Sequence, residues 1–361
     1  IYLIVIGLII SLSSCGKDDP IRIGFVAGLS GRVADLGVAG RNGVMLAVEH
    51  KNAEGGINGR PIELIVRDDQ QNSSIAQRMV KELLTQEIEL IIGPMTSSMA
   101  MATVSLVKNS DICMISPTVT TTALVDKGDH FIRAISTTKD YATISAAYQF
   151  NKLDKRKYVA IYDINNKAYT EDWLNNFKTE FEGLGGKAIN VKSFRSGNET
   201  VFYGAVKELL KEDPDLFVVI TNAVDAALIC QQVRKMNKKI GITMSEWAST
   251  ERFIELGGVS TEGVYVAQFM DRNDTSERFI NFRKAYFERF GQEPGFAGVS
   301  GYDTGLIVLE ALSKQKKNET IKETIIRQKT FQGIQQVISI NKFGDADRKT
   351  FVTKIKNGKF I

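Results

Sequence analysis

The feature that most constrains the fold of this chain is a repeated alternation of short apolar strands with amphipathic helices. In the first part of the sequence, the predicted strands are 21–27, 62–66, 88–92 and 112–115, and the predicted helices are 40–52, 75–84 and 97–107. This alternation is typical of βαβ units, in which parallel strands form a sheet that is covered by helices on both faces.

The alternation begins again in the middle of the chain. Strands are predicted at 158–162, 188–194, 216–221 and 240–244, and helices at 169–184, 201–210 and 223–236. Two later helices, 276–290 and 299–313, have no strong strand pattern beside them, so we expect them to pack on the first sheet. A chain of 361 residues is also longer than one compact core normally serves.

We therefore predict an α/β protein with two doubly wound parallel-sheet lobes joined by a three-crossover hinge. The first lobe is expected to contain residues 21–136 plus 269–335, and the second lobe residues 137–268 plus 336–361. The connectors are expected near 131–135, 264–269 and 337–340. Open sheets of this kind bind ligands beyond the carboxyl ends of their strands. The loops 28–37, 94–98, 116–121, 163–169, 222–225 and 245–249 are therefore expected to line one cleft.

The N-terminal segment predicts export and a lipid anchor. Residues 1–10 are apolar throughout, about half the length that a spanning helix needs, which indicates the core of a truncated signal peptide (residues 1–14). The following Leu-Ser-Ser-Cys resembles the bacterial lipobox, which would make Cys15 the first mature residue and the site of lipidation. Residues 15–20 then form a polar tether. The alternative is an ordinary signal peptide with an incidental cysteine.

Composition excludes several functional classes. The net charge is only +4, with both signs interleaved and no basic run that contains aromatic residues, so nucleic-acid binding is not expected. The two histidines and three cysteines lack metal-ligand spacing, so no metal is expected. No glycine-rich phosphate loop is present, and no cofactor is expected. Cys113 and Cys230 are interpreted as buried free thiols rather than a disulfide.

Two hydroxyl-rich loops follow neighbouring strands of the first lobe. Ser97 and Ser98 stand at the start of a helix, where they could cap the helix or, with its free N–H groups, hold an anion. Thr118 and Thr120 lie two residues apart in extended backbone and point to the same side. Both loops together favour a polar ligand head group, although hydroxyl-stabilised turns are the alternative.

Two residues of the second lobe could complete such a site. Glu246 follows a strand, where its carboxylate could pair with a cationic ligand group or simply lie at the start of a helix. Tyr169 opens a helix and could cover a pocket or pack on its own helix. The neighbouring carboxylates Asp68 and Asp69 are interpreted as turn residues. No nucleophile–base pair can be assembled, so the chain is not expected to be an enzyme.

Together these segments resemble the periplasmic binding protein family that includes the leucine/isoleucine/valine-binding proteins. The resemblance covers roughly residues 21–361. The segments that carry it are 23–31 (IGFVAGLSG), 47–60 with the strand to residue 69, Gly-Pro and Ser-Ser at 93–98, Ser-Pro-x-x-Thr at 116–120, Gly-Tyr-Asp-Thr-Gly at 301–305 and Asn-Gly-Lys-Phe at 357–360.

The resemblance implies roles for single residues. In the amino-acid-binding branch, the positions of Ser97 and Thr120 hold the ligand carboxylate, and the position of Thr118 offers backbone groups. The position of Tyr169 covers the ligand, and the position of Glu246 pairs with the α-ammonium group. The fold and an amino-acid ligand follow as expectations from this resemblance.

The chain departs from the branched-chain binders in its side-chain pocket. Those proteins have an aromatic residue where this chain has Leu36, and another near the position of Asn222. Asn222 could favour a more polar side chain, or it could cap the helix that starts at residue 223. An amide, a urea derivative or a small aromatic acid therefore stays open as a ligand.

The functional expectation is a substrate-binding lipoprotein of an ABC importer that closes about its hinge on a small amino acid. Its partners would be the ligand and membrane permease subunits, with the protein a monomer in the periplasm or at the cell surface. The alternative is a sensory binding protein that presents its ligand state to a membrane kinase or receptor.

Overall fold

Two parallel sheets, and not one, form the framework of this molecule. The structure is a computed structural model that describes residues 19–361. The predicted signal peptide, Cys15 and most of the predicted tether lie outside the described residues. Within the described range, no helix combines the length and the apolar composition that crossing a membrane requires.

The elements alternate along the chain as the sequence predicts. The strands are β1 (Ile21–Ala27), β2 (Ile62–Asp68), β3 (Leu90–Ile92), β4 (Met114–Ser116), β5 (Phe131–Arg133), β6 (Lys157–Asp163), β7 (Lys187–Phe194), β8 (Leu216–Ile220), β9 (Gly241–Met244), β10 (Tyr265–Gln268), β11 (Thr330–Gln332), β12 (Val337–Ile340), β13 (Ala346–Asp347), β14 (Phe351–Lys356) and β15 (Lys359–Phe360). The α-helices are α1 (Ala34–Ala53), α2 (Ser73–Leu83), α3 (Ser97–Thr103), α4 (Thr138–Asn151), α5 (Lys167–Gly183), α6 (Tyr203–Leu210), α7 (Ala223–Met236), α8 (Glu251–Gly257), α9 (Glu277–Phe290), α10 (Gly295–Lys314) and α11 (Ile321–Gln328).

The first sheet has the order β2-β1-β3-β4-β5, and its described pairings are all parallel. The second has the order β15-β14-β10-β9-β8-β6-β7, parallel from β7 to β10, with β14 and β15 antiparallel at one edge. We call the parts built on these sheets the first lobe and the second lobe. Strand β8 is buried at every position, as expected for a strand covered on both faces.

The late helices return to the first lobe, as predicted, because α10 packs closely on α1. Glycines make this close approach possible. A Cβ atom at Gly43 would collide with the carbonyl oxygen of Gly298, and one at Gly301 would collide with that of Gly40. The glycines near the Gly-Tyr-Asp-Thr-Gly segment therefore serve helix packing in the first lobe.

One predicted connector is wrong. The stretch 337–340 is strand β12, the middle strand of a small antiparallel sheet with β11 and β13, so it does not cross between the lobes. The Gly344 carbonyl accepts from the Arg133 N–H at 2.9 Å, which places this small sheet beside β5 of the first lobe. Of the block 336–361, only β14 and β15 pair into the second sheet, and the third crossing follows β13. The remaining predicted lobe boundaries stay predictions.

Arg348 lies in the third crossing between the lobes and contacts residues of the other two crossings. Its Nη1 donates to the Ala134 carbonyl in the first crossing at 3.3 Å, and its guanidinium lies 3.9 Å from the ring centroid of Phe269 in the second. Its Nη2 pairs with Asp303 of α10 at 2.7 Å, and both side chains are fully buried. The hinge is therefore organised around one buried cation held by the first lobe.

Candidate functional site

A small cavity lies between the lobes, at the carboxyl ends of the parallel strands. Its volume is about 20 Å³, room for about one water molecule. Segments that follow β3, β4, β5, β6 and β9 supply most of its wall, and α1 and α10 supply the rest. The lining residues are Leu36, Met95, Thr96, Ser97, Thr118, Ile135, Asn166, Tyr169, Glu246, Trp247 and Phe296.

Five of the eight predicted ligand-binding residues line this cavity: Leu36, Ser97, Thr118, Tyr169 and Glu246. They come from both lobes and from positions up to 210 residues apart in the chain (246 minus 36). The parallel topology brings them together, because neighbouring parallel strands end at the same edge of a sheet. Leu36 lies in the first turn of α1 rather than in the predicted loop, since that helix begins at Ala34.

The first-lobe side of the cavity presents hydroxyl groups. Ser97 is buried, and its Oγ accepts from the Thr121 N–H at 3.4 Å. The Thr118 hydroxyl donates to the Met95 carbonyl at 2.6 Å. These contacts leave lone pairs and a rotatable hydroxyl hydrogen, so this side suits an acceptor or donor without carrying charge.

Thr120 does not line the cavity, but its hydroxyl is unusual. Only 1% of the residue is exposed, and Oγ1 has no hydrogen-bond partner within residues 19–361. Its carbonyl accepts from the Thr138 N–H at 2.8 Å, which fixes the backbone between the two lobes. Because buried hydroxyls are normally paired, an unpaired one two residues from Thr118 of the cavity wall is a candidate for contact with a ligand.

Ser98 has a different place from the one predicted. Its N–H donates to Asn166 Oδ1 at 3.0 Å, and its Oγ accepts from the Ala168 N–H at 3.3 Å. Asn166 and Ala168 belong to the second lobe, so in this structure Ser98 joins the lobes and does not line the cavity. The Ser98 N–H, which was predicted to hold a ligand carboxylate, therefore already donates to Asn166 in this structure.

Asn222 is the N-cap of α7, the second of the two roles considered for it. Its Oδ1 accepts from the Asp225 N–H at 3.1 Å, and its Nδ2 donates to Asp225 Oδ2 at 2.7 Å. Asn222 does not line the cavity, because local capping holds its side chain against its own helix. Asp225 in turn accepts from Arg32 of the first lobe, with Nη2 at 2.5 Å from Oδ1.

Among residues 19–361, Glu246 carries the only carboxylate in the cavity wall. It is 4% exposed, its Oε2 accepts from Trp173 Nε1 at 3.0 Å, and its Oε1 has no hydrogen-bond partner among the described residues. Burial raises the pKa of this carboxyl group to about 7. An ionised carboxylate held away from water is costly unless it is paired, so Oε1 is suited to a cationic or donor group.

Two aromatic residues enclose the carboxylate. The Tyr169 ring meets the Trp247 ring edge to face at 5.8 Å between centroids, and the Trp247 N–H donates to the Tyr169 hydroxyl at 3.4 Å. Burial and then the charge of Glu246 raise the pKa of Tyr169 well above its ordinary value, so the hydroxyl stays neutral. Tyr169 is thus placed to cover the cavity from the second lobe.

Six lining residues were not identified from the sequence: Met95, Thr96, Ile135, Asn166, Trp247 and Phe296. Asn166 and Trp247 lie in loops that were expected to line the cleft, so their position after β6 and β9 was the available signal. Phe296 comes from the first turn of α10, and nothing local in the sequence connects that helix with the cleft.

Other predicted features fit their structural interpretation. Asp68 Oδ1 accepts from the N–H groups of Leu29 and Gln70, and Asp69 Oδ1 accepts from that of Gln71, as turn residues do. Cys113 and Cys230 are buried free thiols, as predicted. Within the described part of the chain, no cluster of three or more potential metal ligands occurs.

Comparison with protein families gives an independent result. The family model described as periplasmic binding protein matches residues 20–359, nearly the whole described chain. The Leu/Ile/Val/Thr-binding protein of Salmonella typhimurium is 25% identical over 262 residues, which is 72% of this chain and 70% of that protein.

Solved structures share the fold. The branched-chain amino acid transporter substrate-binding protein LivJ from Streptococcus pneumoniae, in complex with isoleucine, superposes with a TM-score of 0.85 at 24% identity, covering 94% of this chain and 97% of that one. A solute-binding protein of an ABC transporter from R. palustris, in complex with benzoate, gives 0.84 at 17% identity and covers 95% of each chain. These relatives are binding proteins and not enzymes, as was predicted for this chain.

Proposed function

Because this chain belongs to the periplasmic binding protein family, we propose that it is the substrate-binding component of an ABC importer and captures a small α-amino acid between its lobes. The relatives named above bind amino acids or an aromatic acid, so a carboxylate is the group that their ligands share. The question for this chain is whether the ligand also carries an ammonium group.

The observation that carries the proposal is the unpaired Oε1 of Glu246. This oxygen is buried in the cavity wall, and the cavity is lined by no lysine or arginine among the described residues. A carboxylate ligand without a cationic group would meet repulsion at this wall. An α-ammonium group would supply both the charge and the hydrogen bond that Oε1 lacks.

The first-lobe wall of the cavity, opposite Glu246, is suited to the ligand carboxylate. The Ser97 hydroxyl hydrogen has no acceptor among the described residues, the Thr118 hydroxyl already donates to Met95, and the buried Thr120 hydroxyl has no partner within residues 19–361. Hydrogen bonds from neutral donors to a carboxylate are stronger than those between two neutral groups. An α-amino acid whose carboxylate meets the first lobe and whose ammonium meets the second lobe would satisfy both walls.

This division implies capture by closure of the lobes. In an open form, the first-lobe hydroxyls would hold the carboxylate while water still reaches the ligand. Closure brings Tyr169 and Glu246 over it and excludes water. Contacts that exist only in the closed form supply the difference in affinity that shifts the population toward it.

Matched pairs of ligands test the proposal directly. A thermal-shift screen across the standard amino acids should yield at least one hit, since a ligand at about 100 times its Kd stabilises a protein by about 2.7 kcal/mol. The carboxylic acid with the same carbon skeleton but no amino group should then give no shift. Stabilisation by that acid or by benzoate, with no response to any amino acid, would overturn the amino-acid assignment.

We also propose that Cys15 is lipidated and anchors the protein on the outer side of a membrane. Cys15→Ala should release the protein into the soluble fraction without changing ligand affinity, and mass spectrometry of the N-terminal peptide should detect the lipid. Recovery of unmodified Cys15 in a membrane-free fraction would contradict the anchor and leave the binding proposal intact.

The importer role has one rival, a sensor that presents its ligand state to a membrane kinase or receptor. Co-purification from membranes distinguishes the two. An importer component should recover permease and ATPase subunits, and deletion of its coding sequence should reduce uptake of the labelled ligand. Unchanged uptake together with recovery of a kinase or receptor would favour the sensor.

A further inference from the structure

A second, larger cavity adjoins the first one in the cleft. Its volume is about 290 Å³, and both lobes line it through residues 30–33 and 70–71 of the first lobe and 163–166 and 196–198 of the second. Asn166 and Trp247 line both cavities and therefore lie between them. The wall is also continuous on the first-lobe side, because the Thr96 hydroxyl donates to Gln71 Oε1 at 3.0 Å.

The lining of the second cavity is polar, in contrast to the apolar residues Leu36, Met95, Ile135 and Phe296 of the first. Carboxamides dominate it: Gln70, Gln71, Asn165, Asn166 and Asn198. A ligand whose head group occupies the first cavity would meet this polar space if its side chain extends past Asn166 and Trp247. The neighbouring cavity therefore bears on which side chain the ligand carries.

Two carboxamides that line the second cavity, those of Asn166 and Gln71, have their oxygen atoms engaged by hydrogen bonds within the described residues. Their NH₂ groups have no acceptor among these residues. Asn166 Oδ1 accepts from the Ser98 N–H, and Gln71 Oε1 accepts from Thr96, so the two side-chain NH₂ groups remain. Arg32 uses Nε and Nη2 on Asp225, at 3.0 and 2.5 Å, which leaves Nη1. The residues that line this cavity thus include three donor groups without an acceptor among the described residues.

Asp163, in contrast, supplies an acceptor to the same cavity. Its Oδ1 accepts from the N–H groups of Asn165 and Ser196 at 2.9 and 3.1 Å, which leaves Oδ2 for a donor. A second carboxylate on the ligand would be repelled by this side chain, and an aliphatic group would offer these polar atoms neither a donor nor an acceptor. A carboxamide has a carbonyl oxygen for the three donors and an NH₂ group for Asp163.

We propose that the second cavity binds a carboxamide on the ligand side chain, so that the ligand class is an α-amino acid with an amide side chain. This inference rests on the proposed function, since it places the amino-acid head group in the first cavity. It assigns to Arg32, Gln71, Asn166 and Asp163 a part in selecting the side chain.

Calorimetry with four ligands tests the inference: L-glutamine, L-asparagine, L-methionine and L-glutamate. At least one amide should bind about tenfold or more tightly than L-methionine, whose side chain resembles that of glutamine in length but is apolar, and also than L-glutamate. Tighter binding of L-methionine or L-glutamate than of both amides would overturn the inference and leave the proposed function standing. Failure of every α-amino acid to bind would instead overturn the proposed function.

Two variants sharpen the assignment. Asp163→Asn keeps an Oδ1 acceptor for the two N–H groups but removes the charge, so the preference for the amide over L-glutamate should fall by about tenfold. Gln71→Met should weaken binding of the amide by a similar factor and leave L-methionine binding unchanged, while Gln86→Met at an exposed site should change neither. An unaltered ligand preference in both folded variants, verified by their thermal unfolding, would overturn the assignment.

Discussion

The two lobes contribute different chemistry to the same cavity. The first lobe offers neutral hydroxyls from Ser97 and Thr118. The second lobe offers the buried carboxylate of Glu246 together with the aromatic rings of Tyr169 and Trp247. The first-lobe side can bind many kinds of group, because a hydroxyl can donate to many acceptors. The second-lobe side is more selective, because a buried carboxylate is stable only beside a cationic or donor group.

This difference suggests a division of labour in recognition. The first lobe would hold any small carboxylate, and the second would decide whether the rest of the molecule is an amino acid. In this account, the second lobe sets the specificity.

The largest effect on ligand affinity is expected from removing the charge of Glu246. Glu246→Gln is expected to weaken amino-acid binding by about 2–5 kcal/mol, because the ligand ammonium would lose its buried partner. Titration calorimetry measures the change. Glu255→Gln, at an exposed carboxylate of α8, is the matched control and should leave affinity unchanged. Equal affinities for the parent and Glu246→Gln would disprove the role of Glu246.

The same substitution should have the opposite effect on folding. The pKa of Glu246 is raised to about 7 in the folded protein from 4.5, so the stability contributed by its proton is lost as pH rises from 4.5 through about 7. In the absence of ligand, Glu246→Gln should therefore raise the free energy of unfolding at pH 8, and the gain should shrink toward pH 4.5. A variant that is less stable than the parent at pH 8 would show that the carboxylate supports the fold.

The contact between Arg32 and Asp225 should have an intermediate effect. It joins the lobes, with the Arg32 side chain 21% exposed and that of Asp225 fully buried. Arg32→Met should weaken ligand binding by about 1.5–3 kcal/mol, mainly through faster dissociation, because the closed form loses hydrogen bonds to a charged group. Stopped-flow measurement would detect this, and Arg289→Met at an exposed pair within the first lobe should not change dissociation. An unchanged dissociation rate would mean that this contact does not hold the closed form.

The smallest effect is expected on the first-lobe side. Thr120→Val removes a buried hydroxyl that has no partner among the described residues, so the free energy of unfolding should stay equal or rise. Ligand affinity should fall by about 0.5–1.5 kcal/mol if this hydroxyl serves the carboxylate. Thr179→Val at an exposed site of α5 provides the comparison. A loss as large as that of Glu246→Gln would contradict the division between the lobes.

Much of the fold could be predicted from the sequence, because its central strands are apolar runs bounded by turns. Strand β8 is one example, since all of its residues are apolar and buried. Helix α4 was not predicted, because its buried face includes Ser145 and Gln149 and lacks a clear apolar stripe. Strand β12 was misplaced because an extended pattern does not reveal which strands it pairs with.

The site was predictable where the residue type and strand end coincide. Ser97 and Glu246 follow β3 and β9, so the parallel topology was enough to bring them into one cleft. Ser98 and Asn222 do not line the cavity, since each has a partner for its polar atoms, across the cleft for Ser98 and in its own helix for Asn222, where capping was one of the two predicted roles. Phe296 could not be found, because its place depends on how α10 packs across α1.

The central claim is that an ionised Glu246 receives a ligand cation, and proton release on binding tests it most directly. Titration at pH 6.5 in buffers of different ionisation enthalpy measures the number of protons exchanged. With a pKa of about 7 for Glu246 before binding, about three quarters of a proton should be released per amino acid bound. Glu246→Gln should abolish this release. Binding without proton release, or with the same release in the variant, would contradict the account.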